Sequence, residues 1–319
     1  MCCFFLFSLA QNTYVPDDNF EQFLIDTGID PGPLDNYVST ANIETIDALN
    51  INNLNIADLT GIEDFTSLVK LWCNFNQLIT LNLSNNTELN ELECRNNQLT
   101  SLMLSPSNKL IWLTCYSNQL STLDLRQNTS LQSLSASNNQ LINIDLGYNS
   151  ALETINVSSN QLVSLDVTQN TALRFLYCND NPMTSLDVKN GNNTIISFFY
   201  AVNNPNLTCI NVDDAVYSTS NWTEIDAHHY FDENCPALSI DQFESPILSI
   251  YPNPVIDLLT FDLNKTVNYS LINLNGQILK KGELNQKENI LNVSDLSTGL
   301  YFLKISTDKG GVTKKLIKQ

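Results

Sequence analysis

The chain has 319 residues, enough for two domains with a large buried core. Its net charge of −19 is uneven: residues 1–239 carry 6 Lys/Arg against 26 acids, a balance of −20, while residues 240–319 carry 9 Lys against 8 acids, a balance of +1. An acidic body argues against a nucleic-acid partner, which requires clustered Lys/Arg. No segment approaches the roughly 18 apolar residues of a membrane helix.

Residues 1–10, MCCFFLFSLA, form a short apolar run ending in small residues before Gln11. This reads as the h-region and cleavage site of a signal peptide whose basic start is truncated or misassigned. The alternative is a buried strand. Cys2 and Cys3 precede the run, whereas a lipoprotein cysteine would follow it.

Residues 11–45 contain VPDDNFEQFLIDTGI, which predicts a cap helix. Asp17 or Asp18 is the N-cap, Phe20, Phe23 and Leu24 share a face, and Gly28 is the stop.

Residues 46–212 are repetitive. Six units of 21 residues run without a gap from Leu68, beginning LVKLWCNFNQLITLNLSNNTE; the turn from Ile46 is one residue longer, and a later one near FFYAVNNPNLTCINV is shifted by a two-residue insertion. One coil cannot bury its own apolar face, but stacked coils make a continuous core. The L-x-[LC] stretch predicts a strand of a parallel sheet, and the later L-x-L the other wall. The pattern L-x-x-L-x-[LC]-x-x-N-x-L-x-x-L-x-L resembles the bacterial leucine-rich repeat, and LTGIEDFTSL has an internalin-like look.

Three columns recur at this period. Asn76, Asn97, Asn118, Asn139, Asn160 and Asn181 are expected to satisfy backbone groups in the turn after each strand. Cys73, Cys94, Cys115 and Cys178 share a slot with Ala136 and Val157, so that slot takes a small buried hydrophobe. Thiols stacked about 5 Å apart along a sheet do not converge on zinc. Asp124, Asp145, Asp166 and Asp187 form the third column, where calcium would be the fitting ion. The competing reading has each Asp accept turn N–H groups of its own coil.

The residues between the strand leucines are expected to line a concave face: Lys70, Trp72 and Asn74; Glu91, Glu93 and Arg95; Trp112, Thr114 and Tyr116; a serine-rich middle; then Phe175, Tyr177 and Asn179. Trp72, Glu91, Glu93, Arg95, Trp112, Tyr116, Phe175 and Tyr177 are the candidate ligand-binding residues, because exposed aromatics are favoured at binding hot spots.

Residues 213–238 depart from the repeat and resemble the C-terminal cap of secreted bacterial repeat proteins of this type. Cys209 and Cys235 lie outside the cysteine register and, in an extracytoplasmic protein, are a candidate disulfide tying down that cap. Adjacent His228 and His229 are expected to point opposite ways on the surface, as neither a metal clamp nor a nucleophile–base pair. No phosphate loop, G-x-S-x-G or H-E-x-x-H occurs, so no enzyme activity, catalytic residue or metal centre is expected.

Residues 239–247 read as a linker. In residues 248–319, apolar runs alternate with turn signals at Asn275-Gly276, Ser297-Thr298-Gly299 and Gly310-Gly311, predicting a small antiparallel β-sandwich. Tyr251-Pro252-Asn253-Pro254, the Asn-Gly hairpin, the segment Leu296–Tyr301 with Gly299 and Tyr301, and the basic end with Lys314, Lys315 and Lys318 resemble the C-terminal sorting domain read by the type IX (Por) secretion system. That resemblance implies contact with the secretion machinery, removal of the tail, and a secreted or outer-surface location in a Gram-negative bacterium.

The fold expected is therefore mainly β: a leucine-rich-repeat solenoid with a helical N-cap and a disulfide C-cap, followed by a sandwich. The function expected is recognition of a protein or glycan ligand on the sheet face. A structural surface component without a specific ligand is the alternative, and a secreted hydrolase a remote third.

Overall fold

The 21-residue period becomes sheet register. In the computed structural model, Lys70, Glu91, Trp112, Ser133, Thr154 and Phe175 pair in line across six parallel strands. The 22-residue spacing places Ala48 beside Lys70, and the insertion places Phe198 beside Phe175. Residues 11–235, 247–263, 266–274, 276–307 and 310–319 are described. The signal-peptide stretch 1–10, linker residues 239–246 and Asn275 lie outside them.

The chain divides into two compact units, residues 1–236 and 237–319. The first holds an eight-stranded parallel sheet of three-residue strands, from Ala48–Asn50 to Phe198–Tyr200. Each strand buries its central side chain, among them Leu71, Leu92, Leu113, Leu134, Ile155 and Leu176, and turns the flanking two outward. Burying each such leucine contributes about 1.5–3 kcal/mol, realised only because the next coil covers it. Further three-residue strands such as Thr80–Asn82, Ser101–Met103, Ser164–Asp166 and Ser185–Asp187 form the second wall.

Asparagines close the turns between coils. The side chain of Asn118 accepts the Leu99 N–H (2.9 Å) and donates to the carbonyls of Cys94 and Cys115 (both 3.0 Å), thereby joining two coils. A second column, Asn86, Asn128, Asn149 and Asn170, is buried on the other wall, and Asn149 donates to Leu125 O (3.1 Å) and Asn128 O (2.8 Å). The free thiols of Cys73, Cys94, Cys115 and Cys178 are all buried. Burial pushes the Cys73, Cys115 and Cys178 thiols up to about 12, and that of Cys94 well above its ordinary value.

At the N-terminal end, helix Asp18–Asp26 starts at Asp17, whose Oδ1 accepts from Asn19 and Phe20 N–H (both 3.0 Å). Its Oδ2 accepts from Ala57 N–H (2.7 Å), fastening the helix to the first coil. Gly61 is required beside it: at φ +100° a Cβ would sit 2.6 Å from Tyr14 O.

At the other end, parallel pairing continues past residue 212. Tyr200 bridges Glu224, and Cys209–Asn211 pairs with Tyr230–Asp232. Trp222 stacks on Phe199 (4.5 Å between ring centres), and Cys209 is disulfide-bonded to Cys235.

The second unit has a three-stranded antiparallel sheet (Ile247–Tyr251, Leu258–Leu263, Ile290–Asn292) and a four-stranded one (Val267–Ile272, Ile278–Leu284, Gly299–Thr307, Gly310–Lys318). Phe261, Leu271, Tyr301, Leu303 and Leu316 belong to its separate core. Gly310 and Gly311 open the last strand rather than forming the turn before it, paired with Thr307 and Ser306.

Candidate functional site

The outward residues of the long sheet form three rows. The first contains Lys70, Glu91, Trp112, Ser133, Thr154, Phe175 and Phe198, and the second Trp72, Glu93, Thr114, Ser135, Asn156, Tyr177 and Tyr200. Two positions further along each coil, Arg95 and Tyr116 occupy the third row. Cross-strand neighbours on one face are about 5 Å apart, so chemistry is read along rows.

One polar–aromatic cluster lies towards the N-terminal end. Lys70 Nζ is 3.1 Å from Glu91 Oε2, and Trp72 Nε1 donates to Glu91 Oε1 (2.8 Å). Asn74 Nδ2 donates to Glu93 Oε2 (2.8 Å). The sequence places Asn74 on the open face, but it is buried, because its amide is folded between strands: its Oδ1 accepts the Arg95 N–H (3.0 Å). The Arg95 guanidinium lies 5.5 Å from the Phe75 ring centre and 5.4 Å from that of Tyr116, and donates to the Tyr116 hydroxyl. Trp112 is 44% exposed on the neighbouring strand, a large apolar area to leave in water. Lys70, Glu91, Glu93, Trp112, Thr114 and Ser133 line an open recess of about 350 Å³.

Phe75 joins this cluster unannounced by the sheet pattern. It sits in the turn column with Asn96, Ser117, Asn138, Ser159, Asp180 and Asn203, all at φ between +53° and +59°. Small polar residues tolerate the left-handed region, whereas a bulky aromatic there is an outlier. Its ring is 51% exposed beside Arg95.

A second cluster lies towards the C-terminal end. Tyr177 and Phe198 are 5.0 Å apart between ring centres, Phe198 and Tyr200 6.2 Å, and Phe175 is the strand neighbour of Phe198. Phe198 and Tyr200 escape the sequence reading because the two-residue insertion breaks the count. The recoverable signal is the Tyr-to-Asn spacing, since Tyr200 precedes Asn204 as Tyr177 precedes Asn181.

The histidines correct the sequence expectation. His228 and His229 do not diverge on the surface: their ring centres are 4.6 Å apart and His229 is buried. With Asp226 they form a group whose ligand atoms lie within 4.8 Å of one another. The hydrogen bonds show what that group does. Asp226 Oδ1 and Oδ2 accept the N–H groups of Asn203 and Asn204 (both 2.9 Å). His229 Nδ1 accepts the Asp226 N–H (3.3 Å), which leaves Nε2 as the protonated nitrogen, 3.1 Å from Asn204 O. Burial lowers the His229 pKa and so favours the neutral ring. Both ring nitrogens are therefore occupied in closing the end of the solenoid, which is not the donor set of an open metal site.

The aspartate column is similarly occupied. Asp145 Oδ1 accepts Gly147 N–H (3.0 Å), Asp166 that of Thr168 (2.8 Å) and Asp187 that of Lys189 (3.0 Å). Asp124 accepts from the Arg126 side chain and backbone, which lowers its pKa to about 2.

In the second unit, Tyr251, Lys314 and Lys315 are exposed, whereas Lys318 is buried. Pro252 and Pro254 flank Asn253, whose side chain donates to Lys315 O (2.8 Å) and accepts Ile317 N–H (2.9 Å), so the segment braces the last strand. Gly299 opens the preceding strand, and the Tyr301 hydroxyl donates to Ser297 O (2.7 Å).

The model of the secretion system C-terminal sorting domain matches residues 249–319. Internalin J of Listeria monocytogenes serotype 4b (strain F2365) is 40% identical over 76 residues, which are 24% of this chain and only 8% of that protein. The crystal structure of internalin C2 from Listeria monocytogenes strain 4b F2365 aligns with 69% of this chain and 98% of its own at 22% identity and a TM-score of 0.51, a likeness of fold.

Proposed function

We propose that this internalin-like leucine-rich-repeat protein, with its type IX sorting tail, is a secreted or cell-surface protein of a Gram-negative bacterium that holds a protein ligand on the outer face of its long sheet. The export domain supports the location, and the repeat fold supports binding rather than catalysis. The division into cap (11–45), repeats (46–212), C-terminal cap (213–238) and sorting domain (248–319), with removal of the last on export, belongs to the same reading.

One observation carries it. Trp72, Trp112, Tyr116, Phe175, Tyr177, Phe198 and Tyr200 share one face of a sheet whose other face is the core. Aromatic and arginine side chains on a rigid floor lose little entropy on binding and dominate interface energetics. A glycan is the second reading, because the amides of Asn156 and Asn179 lie beside Tyr177, where a sugar could stack and hydrogen-bond.

The test is a replacement series. Trp72→Ala, Trp112→Ala and Tyr177→Ala together should abolish capture of the cognate ligand from protein and glycan arrays without lowering the melting temperature substantially. Unchanged capture would remove the sheet face as the site.

A further inference from the structure

The acids on the long sheet are not equivalent. Glu91 is already ion-paired with Lys70 at 3.1 Å and accepts the Trp72 indole N–H at 2.8 Å. Glu93 is held by a neutral group, the Asn74 amide, on Oε2, and among the described residues no cation lies within 4 Å of it. Its charge therefore faces the recess without an ion pair of its own, while the one lysine of that lining is paired with Glu91. Arg95, two residues along the same coil, is turned towards Phe75 and Tyr116 instead.

We propose that the recess between Glu93 and Trp112 receives a cationic side chain, an arginine or lysine, presented by a protein ligand. The inference rests on the sheet face being the binding surface, and it names the anchor.

Three features support it. Glu93 is paired with Thr114, and Trp112 is two residues before Thr114, so the carboxylate and the indole are diagonal neighbours on one face. The Cα atoms of residues so related are about 7–8 Å apart, within the reach of one planar guanidinium that stacks on the ring while donating to the carboxylate. Secondly, the remaining walls, Thr114 and Ser133, are small and carry hydroxyls, which leave the recess open and supply acceptors for further N–H groups. Thirdly, residues 1–239 carry a balance of −20, which steers cations to this unit and repels acidic ligands. A divalent metal ion is disfavoured in the same recess, because the Lys70 ammonium occupies Glu91.

The experiment titrates the full chain at low ionic strength with Ac-Gly-Arg-Gly-NH2 and Ac-Gly-Glu-Gly-NH2, followed by tryptophan fluorescence and by chemical shifts of the indole N–H groups. The arginine peptide should give a saturable change in the Trp112 signal that the glutamate peptide does not. Glu93→Gln, which keeps an oxygen for the Asn74 amide, should weaken that response at least tenfold, and Ile142→Ala, at an exposed position outside the long sheet, should leave it unchanged. A response absent from the wild-type chain, or equal in Glu93→Gln, overturns the proposal. That result is separable from failure of the sheet-face reading, because the array experiment uses neither peptide: ligand capture lost in the triple variant, with no tripeptide response, would leave the surface standing without this anchor.

Discussion

The carboxylate of Asp226 accepts the backbone N–H of Asn204 at 2.9 Å, and its other oxygen takes the N–H of Asn203 at the same distance. In earlier coils these N–H groups find a carbonyl of the next coil, as Asp180 N–H finds Val202 O and Asn139 N–H finds Ser159 O. One side chain thus replaces two acceptors where the stacking changes. Asp226→Ala should cost about 1–3 kcal/mol, the penalty for leaving a buried donor unpaired, read from the urea midpoint. Burial alone would raise the Asp226 pKa, but the two accepted N–H bonds and His229 outweigh it and lower it. A lowered carboxylate contributes stability above its unfolded value and loses it as pH falls through the folded one. The acid limb of the stability profile should therefore be shallower in Asp226→Asn than in the wild type.

Phe75→Asn should stabilise the fold by about 0.5–1 kcal/mol, because an asparagine adopts the left-handed turn at less cost than a phenylalanine. The same change removes a ring lying 5.5 Å from the Arg95 guanidinium. A raised urea midpoint together with weaker ligand capture is expected. A lowered midpoint would show that the turn is not strained.

Calcium should leave the melting temperature where chelator leaves it. Asp124, Asp145, Asp166 and Asp187 each already accept an N–H of their own turn, and Asp187 Oδ2 also accepts from the Asn211 amide (2.9 Å). A calcium-dependent rise would revive the metal reading of that column.

Native alkylation should spare Cys73, Cys94, Cys115 and Cys178. All four are buried, and burial holds their pKa values far above neutral, so almost no thiolate is present at pH 8. Mass spectrometry after iodoacetamide should find them modified only in denaturant; rapid native modification of any one would contradict its burial.

The period made much of this legible from residues alone. Leucines 21 apart imply strands in register, and the paired line from Lys70 to Phe175 follows directly. What escaped depends on local departures. The insertion hid Phe198 and Tyr200, although their pattern resumes at Asn204. The argument that adjacent histidines diverge assumes extended chain, but His229 N–H bonds to Asp226 O (2.9 Å) in a tight turn, which brings the rings together. Phe75 belongs to no apolar slot, and its significance lies in a backbone angle that composition does not reveal. The buried column Asn86, Asn128, Asn149 and Asn170 recurs at the same period, but an asparagine beside a turn is as common on the surface as in the core, so its burial is visible only in the structure.

The most direct test of the account is ligand capture by the full chain carrying Trp72→Ala, Trp112→Ala and Tyr177→Ala, measured on protein and glycan arrays beside the wild type, with melting temperatures as the folding control. Sheet-face recognition predicts a ligand bound saturably by the wild type and lost from a folded triple variant. Saturable binding of equal strength by both would contradict it.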